Sequence, residues 1–464
     1  MSVFIPFGEG VRLFLIVTSL SLILIKGVLF TLGNADNWAL VYFTSSLITL
    51  LHVYPLIAYK REYGWLHILI IFLIRHLLNE FSSLSYMGQP YQPHVVLSGW
   101  DQTQLSWVHI KRNVLYIIAT LSIYIGYFTF SSNLWANIKP KVVSGFGSKL
   151  AIVMVVCVVL FTVFMISQGG ISNWLLFFWG GGRSRAISSG QVAPGLWMII
   201  IRLSVFGVLF WLARDVKALY SPLFWLYAIL SSGMIFLITG SRSSFIGFGV
   251  YGLIIWMFRE RKVTPFRALF FGLVAIVVVS VLGEFRRSTW SGEIDWGSLT
   301  DFSITEKFSG GIDEVNTRGV SKNGEFAILA LAPEELELLY GESYFALLTA
   351  PIPRAIFPGK PQGAGQKLGD RLFGIRGGVP PGSVGEAFWN FHIPGVIMAY
   401  LLFGVFYRWI MNVIVANPRE PTFWIIYAVL IYIFKNPSTL GFVYIAQQCL
   451  SILFLYWFFT FKRR

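Results

Sequence analysis

Charge is what this 464-residue sequence has least of: only 12% of it is Asp, Glu, Lys or Arg. Soluble domains carry roughly 25%, so a water-covered globule is excluded. Cysteine is nearly missing too. Cys157 and Cys449 both fall inside apolar runs, which argues against a disulfide framework or a thiolate-held metal and leaves packing as their role. The isolated acids Asp36, in "GNADNW", and Asp101, in "SGWDQ", form no DxD-type pair, and no Asp, Glu and His residues cluster at metal-ligand spacing. Metal-dependent chemistry is therefore not expected, no cofactor is implied, and no nucleic-acid partner is expected. There is also no internal repeat of the kind that marks many transporters.

What is abundant is apolar: 56% of the residues are hydrophobic and 17% aromatic. Runs such as "LAIVMVVCVVLFTVFMIS" (150–167) and "LFFGLVAIVVVSVLG" (269–283) approach or reach the length of about 20 residues that crosses hydrocarbon. Backbone polar groups in lipid must be satisfied within each segment. The expected fold is therefore all-α, a polytopic helical integral membrane protein. Twelve spans are expected, near 13–33, 38–58, 64–79, 113–131, 150–167, 195–213, 221–239, 244–258, 267–283, 394–411, 421–435 and 440–461. The first run is too long for a signal-peptide core and reads as a retained span.

Lys and Arg in alternate short connections set the orientation. "YKREYG", "NIKPKVVSGFGSK", "RDVKAL", "RERKVTPFR" and "NPREP" fall on one side, together with the terminal "FKRR". That side is expected to be cytoplasmic, with both termini there. The chain then divides into spans one to nine (1–283), a large external loop (284–393) and spans ten to twelve (394–464). Within the loop, 293–342 carries eleven acidic residues against three basic, and 343–393 carries five basic against two acidic. The first half reads as a small helical cap, with "APEELELLYGES" as an amphipathic helix. The second, rich in Gly and Pro, reads as an irregular shaped surface.

Cations also occur where topology gives no reason for them. Lys26, Arg75, Lys111, Arg112, Arg183, Arg185, Arg242, Arg286, Arg287 and Lys435 fall at or near external helix ends, and Arg202 about two turns inside one. Cations beside hydrocarbon cost free energy and are functional suspects. Their convergence on one leaflet points to an anionic headgroup, which the guanidinium fork suits. The bland readings are local: Arg75 pairing with Glu80, Lys26 snorkelling to the interface, and Glu386 pairing with Arg376 or Lys360. In "ITGSRSSFIGFGVYG" a helix ends, Gly240 turns, Ser241 offers a cap and Arg242 precedes the next helix, a junction ready to hold an anion.

The "TGSR" turn, the long loop and its closing signature, "PIPRAIFPGKP" (351–361) then "GSVGEAFWNFHIPGV" (382–396), resemble the O-antigen polymerase family of Wzy-like oligosaccharide repeat unit polymerases. The turn and the loop's second half are the specific part of the likeness. The resemblance implies a metal-independent membrane glycosyltransferase of the bacterial inner membrane. It would join polyprenyl-diphosphate-linked oligosaccharide units at the periplasmic face, with the lipid diphosphate as leaving group. Its partners would be that glycolipid, membrane lipid and a chain-length regulator protein. Carried onto this sequence, Arg242 and Arg354 hold the diphosphate and Lys360 assists. Glu386 acts near the acceptor hydroxyl or orders the loop, with His392 as second choice of base. Arg183, Arg185, Arg202, Arg286, Arg287 and Trp389 are further candidates for binding diphosphate or glycan. An O-antigen ligase passing glycan to lipid A–core and a lipid-linked oligosaccharide flippase stand as alternatives.

Overall fold

The computed structural model describes residues 8–33, 38–58, 64–84, 95–97, 99–130, 145–171, 174, 194–239, 243–260, 323–349, 357–374, 378–433 and 437–461. Among the described residues every regular element is helical. Apart from two short 3-10 helices, Val95–Leu97 and Val216–Tyr220, they are in chain order α1 (Glu9–Gly33), α2 (Trp38–Ile57), α3 (Ile68–Leu84), α4 (Gln102–Thr129), α5 (Phe146–Ser167), α6 (Pro194–Arg214), α7 (Pro222–Thr239) and α8 (Ser243–Glu260). Then follow α9 (Asn323–Leu331), α10 (Glu342–Thr349), α11 (Ala364–Leu368, continued by a π-turn to Phe373), α12 (Ser383–Ala416), α13 (Pro421–Ile433) and α14 (Thr439–Thr460).

Among the described residues, six helical segments are long and apolar enough to cross a membrane: Glu9–Val28 of α1, α2, α5, α7, α12 and Gly441–Thr460 of α14. Ile68–Leu77 and Pro421–Tyr432 are apolar but shorter. Eleven of the twelve segments expected as spans coincide with described helices, and 267–283 lies outside the described residues.

Three boundaries differ from expectation for identifiable reasons. α4 begins at Gln102 instead of near 113, because Asp101 and Gln104 form a reciprocal capping box: Asp101 Oδ1 accepts from Gln104 N at 2.7 Å, and Gln104 Oε1 accepts from Asp101 N at 3.0 Å. "APEELELLYGES" is not a helix. α9 stops at Leu331 because Pro333 has no N–H to donate and disfavours helical geometry in the residue before it. The segment then runs as turns until Gly341, at φ 88°, lets α10 start. Finally, the helix expected from 394 is preceded by a further helical piece from Ser383. The two pieces meet at a break, Phe391 (φ −143°) and His392 (φ 57°, ψ −147°). Pro394 falls in the first turn after the break, where a missing N–H is tolerated.

The chain forms two compact units. Unit 1 comprises 1–136, 315–415 and 434–443. Its α1–α3 share a core of Leu15, Leu22, Val53, Leu56, Ile70, Leu73 and Leu77. Arg12 Nε donates to the Leu56 carbonyl at 2.9 Å, satisfying an orphan acceptor at the end of α2. α4 crosses α12 at backbone contact distance. A Cβ on Gly126 would strike Leu401 O and one on Gly404 would strike Ile123 O, so both positions require glycine. Unit 2 comprises 137–314, 416–433 and 444–464. Here Lys149 Nζ donates to the carbonyls of Phe459 (2.8 Å) and Phe461 (2.7 Å), capping the end of α14.

Candidate functional site

In unit 1 the start of α12 is where polar side chains from α4, α9, α10 and the first residue of α14 meet. Loop residues dock on it first. Trp389 is fully buried, its indole N–H donates to Glu337 O at 2.9 Å, and its own carbonyl accepts from Leu339 N at 2.9 Å. Trp389, expected to stack on a sugar, therefore anchors the turn after α9 and offers no open ring face. Phe388 beside it is 1% exposed, with Lys111 Nζ 4.7 Å from its ring centre. Lys111 also donates to Ala332 O at 3.2 Å, holding the end of the α9 segment onto α4.

Glu325, from α9, is buried at the centre of this joint. Its carboxylate accepts from Arg112 Nε at 3.2 Å and from the Tyr116 hydroxyl at 3.0 Å, both on α4. The Arg112 guanidinium lies 4.6 Å from the Tyr116 ring centre and 5.5 Å from that of Phe326. Gly382 (φ 66°) abuts the Glu325 carboxyl, and a Cβ there would collide with it. The opening glycine of "GSVGE" is thus explained by room for a loop carboxylate. Next to it, Ser383 Oγ and Tyr400 OH share a hydrogen bond of 2.7 Å, and Tyr400 has Tyr116, Glu325 and Tyr344 as electrostatic neighbours.

Glu386, one turn along α12, is 2% exposed. Both its oxygens are engaged by the first residue of α14: Thr439 N donates at 3.1 Å and the Thr439 hydroxyl donates to the other oxygen. Ser343, whose hydroxyl accepts from Asn390 Nδ2 at 2.8 Å, also bonds this carboxylate. Glu386 is therefore not paired with Lys360; it satisfies an orphan N–H at a helix start. Two neighbouring polar atoms remain without partners, Tyr344 OH and Asn390 Oδ1. Burial, followed by the Glu386 carboxylate, raises the Tyr344 phenol above its usual pKa, so it stays a neutral hydroxyl.

His392 occupies the break in α12. It is half-exposed and its ring lies 4.4 Å from that of Phe388. A non-glycine residue held at positive φ stores strain of the sort that collects at working sites.

The cations sort into paired and unpaired. Lys26 does not snorkel: it is 0% exposed, is ion-paired with Glu80, and donates to Ser45 Oγ at 2.8 Å. That leaves Arg75 without the Glu80 partner expected for it. Its electrostatic neighbours are the phenols of Tyr407, Tyr116 and Tyr400, and among the described residues no carboxylate pairs with it. In the loop, Lys367 pairs with Glu342, and Lys360 N donates to Phe357 O at 3.2 Å, closing a turn at Pro358–Gly359.

Of the residues singled out from sequence, unit 1 brings Glu386, Trp389 and His392 onto one short stretch of α12, with Lys360 on the loop. Arg202 lies in unit 2. Arg242, Arg354, Arg183, Arg185, Arg286 and Arg287 lie outside the described residues. Arg75, Arg112, Tyr116, Glu325 and Tyr400 were not singled out as site residues. The breach of the positive-inside pattern flagged Arg75 and Arg112, but nothing local in sequence ties α9 to α4. No family model, no curated protein and no solved structure matches the chain.

Proposed function

We propose that this protein polymerises polyprenyl-diphosphate-linked oligosaccharide units at the outer face of the bacterial inner membrane. The observation that carries the reading is Arg75. It is a guanidinium recessed among the phenols of Tyr116, Tyr400 and Tyr407, in the unit where loop helices α9 and α10 dock on α4 and α12. A cation so placed calls for an anionic ligand group. A diphosphate-linked glycan supplies one and brings the sugar under the docked loop.

In the proposed reaction the bond between the anomeric carbon of the growing glycan and its diphosphate oxygen breaks. The leaving diphosphate keeps the electron pair, and fixed cations stabilise the charge that develops there. The acceptor hydroxyl oxygen bonds to the anomeric carbon and its proton passes to a base. His392 is the base that fits, since Glu386 has both oxygens occupied. Arg242 and Arg354 keep the diphosphate-holding roles that the family resemblance implies.

The test is a deletion strain of the native host, complemented with wild type or Arg75→Ala, with lipid-linked and surface glycans sized by mass spectrometry. Surface chains of a single repeat in both the deletion and the Arg75→Ala strain are expected. Long polymer stranded on the lipid carrier identifies a ligase instead, and single units confined to the cytoplasmic leaflet a flippase. Normal chain lengths with well-expressed Arg75→Ala overturn the role given to Arg75.

A further inference from the structure

Helix α10, in the loop part of unit 1, is built inside out. It buries Ser343, Ala346 and Thr349 and turns Phe345 (52% exposed) and Leu348 (74% exposed) outward. A helix bathed in water does the reverse and keeps its large apolar residues on the packed stripe. Gly341 and Tyr344 share the outward side with Phe345 and Leu348, at the three- and four-residue spacing of one helix face. Tyr340, just ahead of the helix, is exposed as well. The single charge on α10, Glu342, is paired with Lys367.

This face continues onto α12. The Phe391 ring packs on Gly341, where a Cβ would come within 2.9 Å of it, and stacks on Tyr344 with ring centres 6.2 Å apart. Phe391 is itself exposed, and beyond the break so are Ile393, Ile397, Met398 and Leu402 on the membrane-crossing piece. That piece runs from Ile393 to Ala416, about 36 Å at 1.5 Å per residue, against roughly 30 Å of hydrocarbon. Its first turn and Phe391 therefore stand at the headgroup boundary, and the start of α10 stands beside them.

We infer that α10 lies in the headgroup layer of that leaflet, with Phe345 and Leu348 against the acyl chains. Tyr340 takes the place of an aromatic belt residue at the rim. An apolar outer face backed by satisfied polar groups is what an interfacial segment requires. A protein partner fits less well. At about 200 Å² for each large side chain, Tyr340, Phe345, Leu348 and Phe391 together expose on the order of 500 Å². A stable protein interface buries about 800 Å² on each partner. Because α10 also brings Ser343 to Glu386 and Tyr344 beside it, contact with lipid fixes the height of the candidate site above the membrane. The inference goes beyond the repeat-unit reading: it concerns where the loop is seated, and it requires only that α12 crosses a membrane.

The experiment puts a nitroxide spin label on the full chain, with both native cysteines replaced by serine, in vesicles of phosphatidylethanolamine and phosphatidylglycerol. Phe345→Cys, Leu348→Cys, Glu335→Cys and Leu402→Cys carry the label in turn; all four positions are exposed, so the core stays intact. Power saturation compares collisions with oxygen, which concentrates in hydrocarbon, and with a nickel chelate, which stays in water. Oxygen-favoured collision at both α10 positions, as at Leu402→Cys and opposite to Glu335→Cys, is the expected result. Nickel-favoured collision at either α10 position puts the face in water and overturns the inference. Weak collision with both reagents means that protein covers the face, and overturns it equally. Spectral broadening that disappears on dilution with unlabelled chain would then name a second copy as the cover. Glycan length plays no part in this readout, so the seating of α10 and the repeat-unit reading stand or fall separately.

Discussion

At the scale of single residues, what separates the arginines is whether a carboxylate has been provided for them. Arg112 has Glu325, fixed by a second bond from Tyr116; Arg75 has phenols as its electrostatic neighbours and, among the described residues, no carboxylate paired with it. The two should respond oppositely to removal. Arg112→Ala strands a buried carboxylate, and breaking such a pair costs about 3–5 kcal/mol, so the variant should unfold at markedly lower denaturant. Arg75→Met strands nothing and should hold its stability to within about 1 kcal/mol while losing polymer. Denaturant unfolding in detergent, run beside glycan sizing, checks both. Loss of stability in Arg75→Met equal to that in Arg112→Ala would mean that Arg75 is a structural ion after all. The sequence showed both cations in improbable places, but it gave no sign of which one had a partner. Glu325 is more than two hundred residues from Arg112 in the chain.

At the scale of elements, the first piece of α12 organises everything around it. It presents Glu386 to the start of α14, Trp389 to the turn after α9, and His392 to the break that separates it from the membrane-crossing piece. The motif "GSVGEAFWNFHIPGV" was legible as something special. Its physical content was not, because a helix running straight into a proline reads as one boundary when there are two. Apolar length located the helices well, since that signal is local. The cap of α14 by Glu386 is non-local and left no trace in the sequence around Thr439. This distinction yields a prediction. Glu386→Ala should destabilise unit 1 by about 1–3 kcal/mol by leaving buried donors unpaired. Glu386→Gln keeps an acceptor for one Thr439 donor and should retain most polymer length, as a positioning residue does. Complete loss of polymer in a stably folded Glu386→Gln, with wild-type unfolding behaviour, would return the base role to this residue and take it from His392.

At the scale of the whole molecule, the formal charge of +14 has two explanations that act together. Some basic residues serve local ends: Arg12 caps α2 and Lys149 caps α14, as carbonyl ends of helices favour. Others follow the orientation rule for short loops. Because one cation answers both demands, the charge pattern alone does not decide which face the α9–α11 loop occupies, and the proposed chemistry requires it to be external. The two native cysteines, buried Cys157 and half-buried Cys449, allow a direct reading once both are replaced by serine. Gly359→Cys suits the outer probe, since the position is exposed and a Cβ there meets only Phe357, at 3.7 Å. Ser148→Cys, exposed near the start of α5, suits the inner one. A membrane-impermeant maleimide applied to cells with a permeabilised outer membrane should label Gly359→Cys at once and Ser148→Cys only after the inner membrane is broken. The reverse order would put the loop in the cytoplasm, out of reach of externally assembled glycan, and the polymerase reading would fall with it.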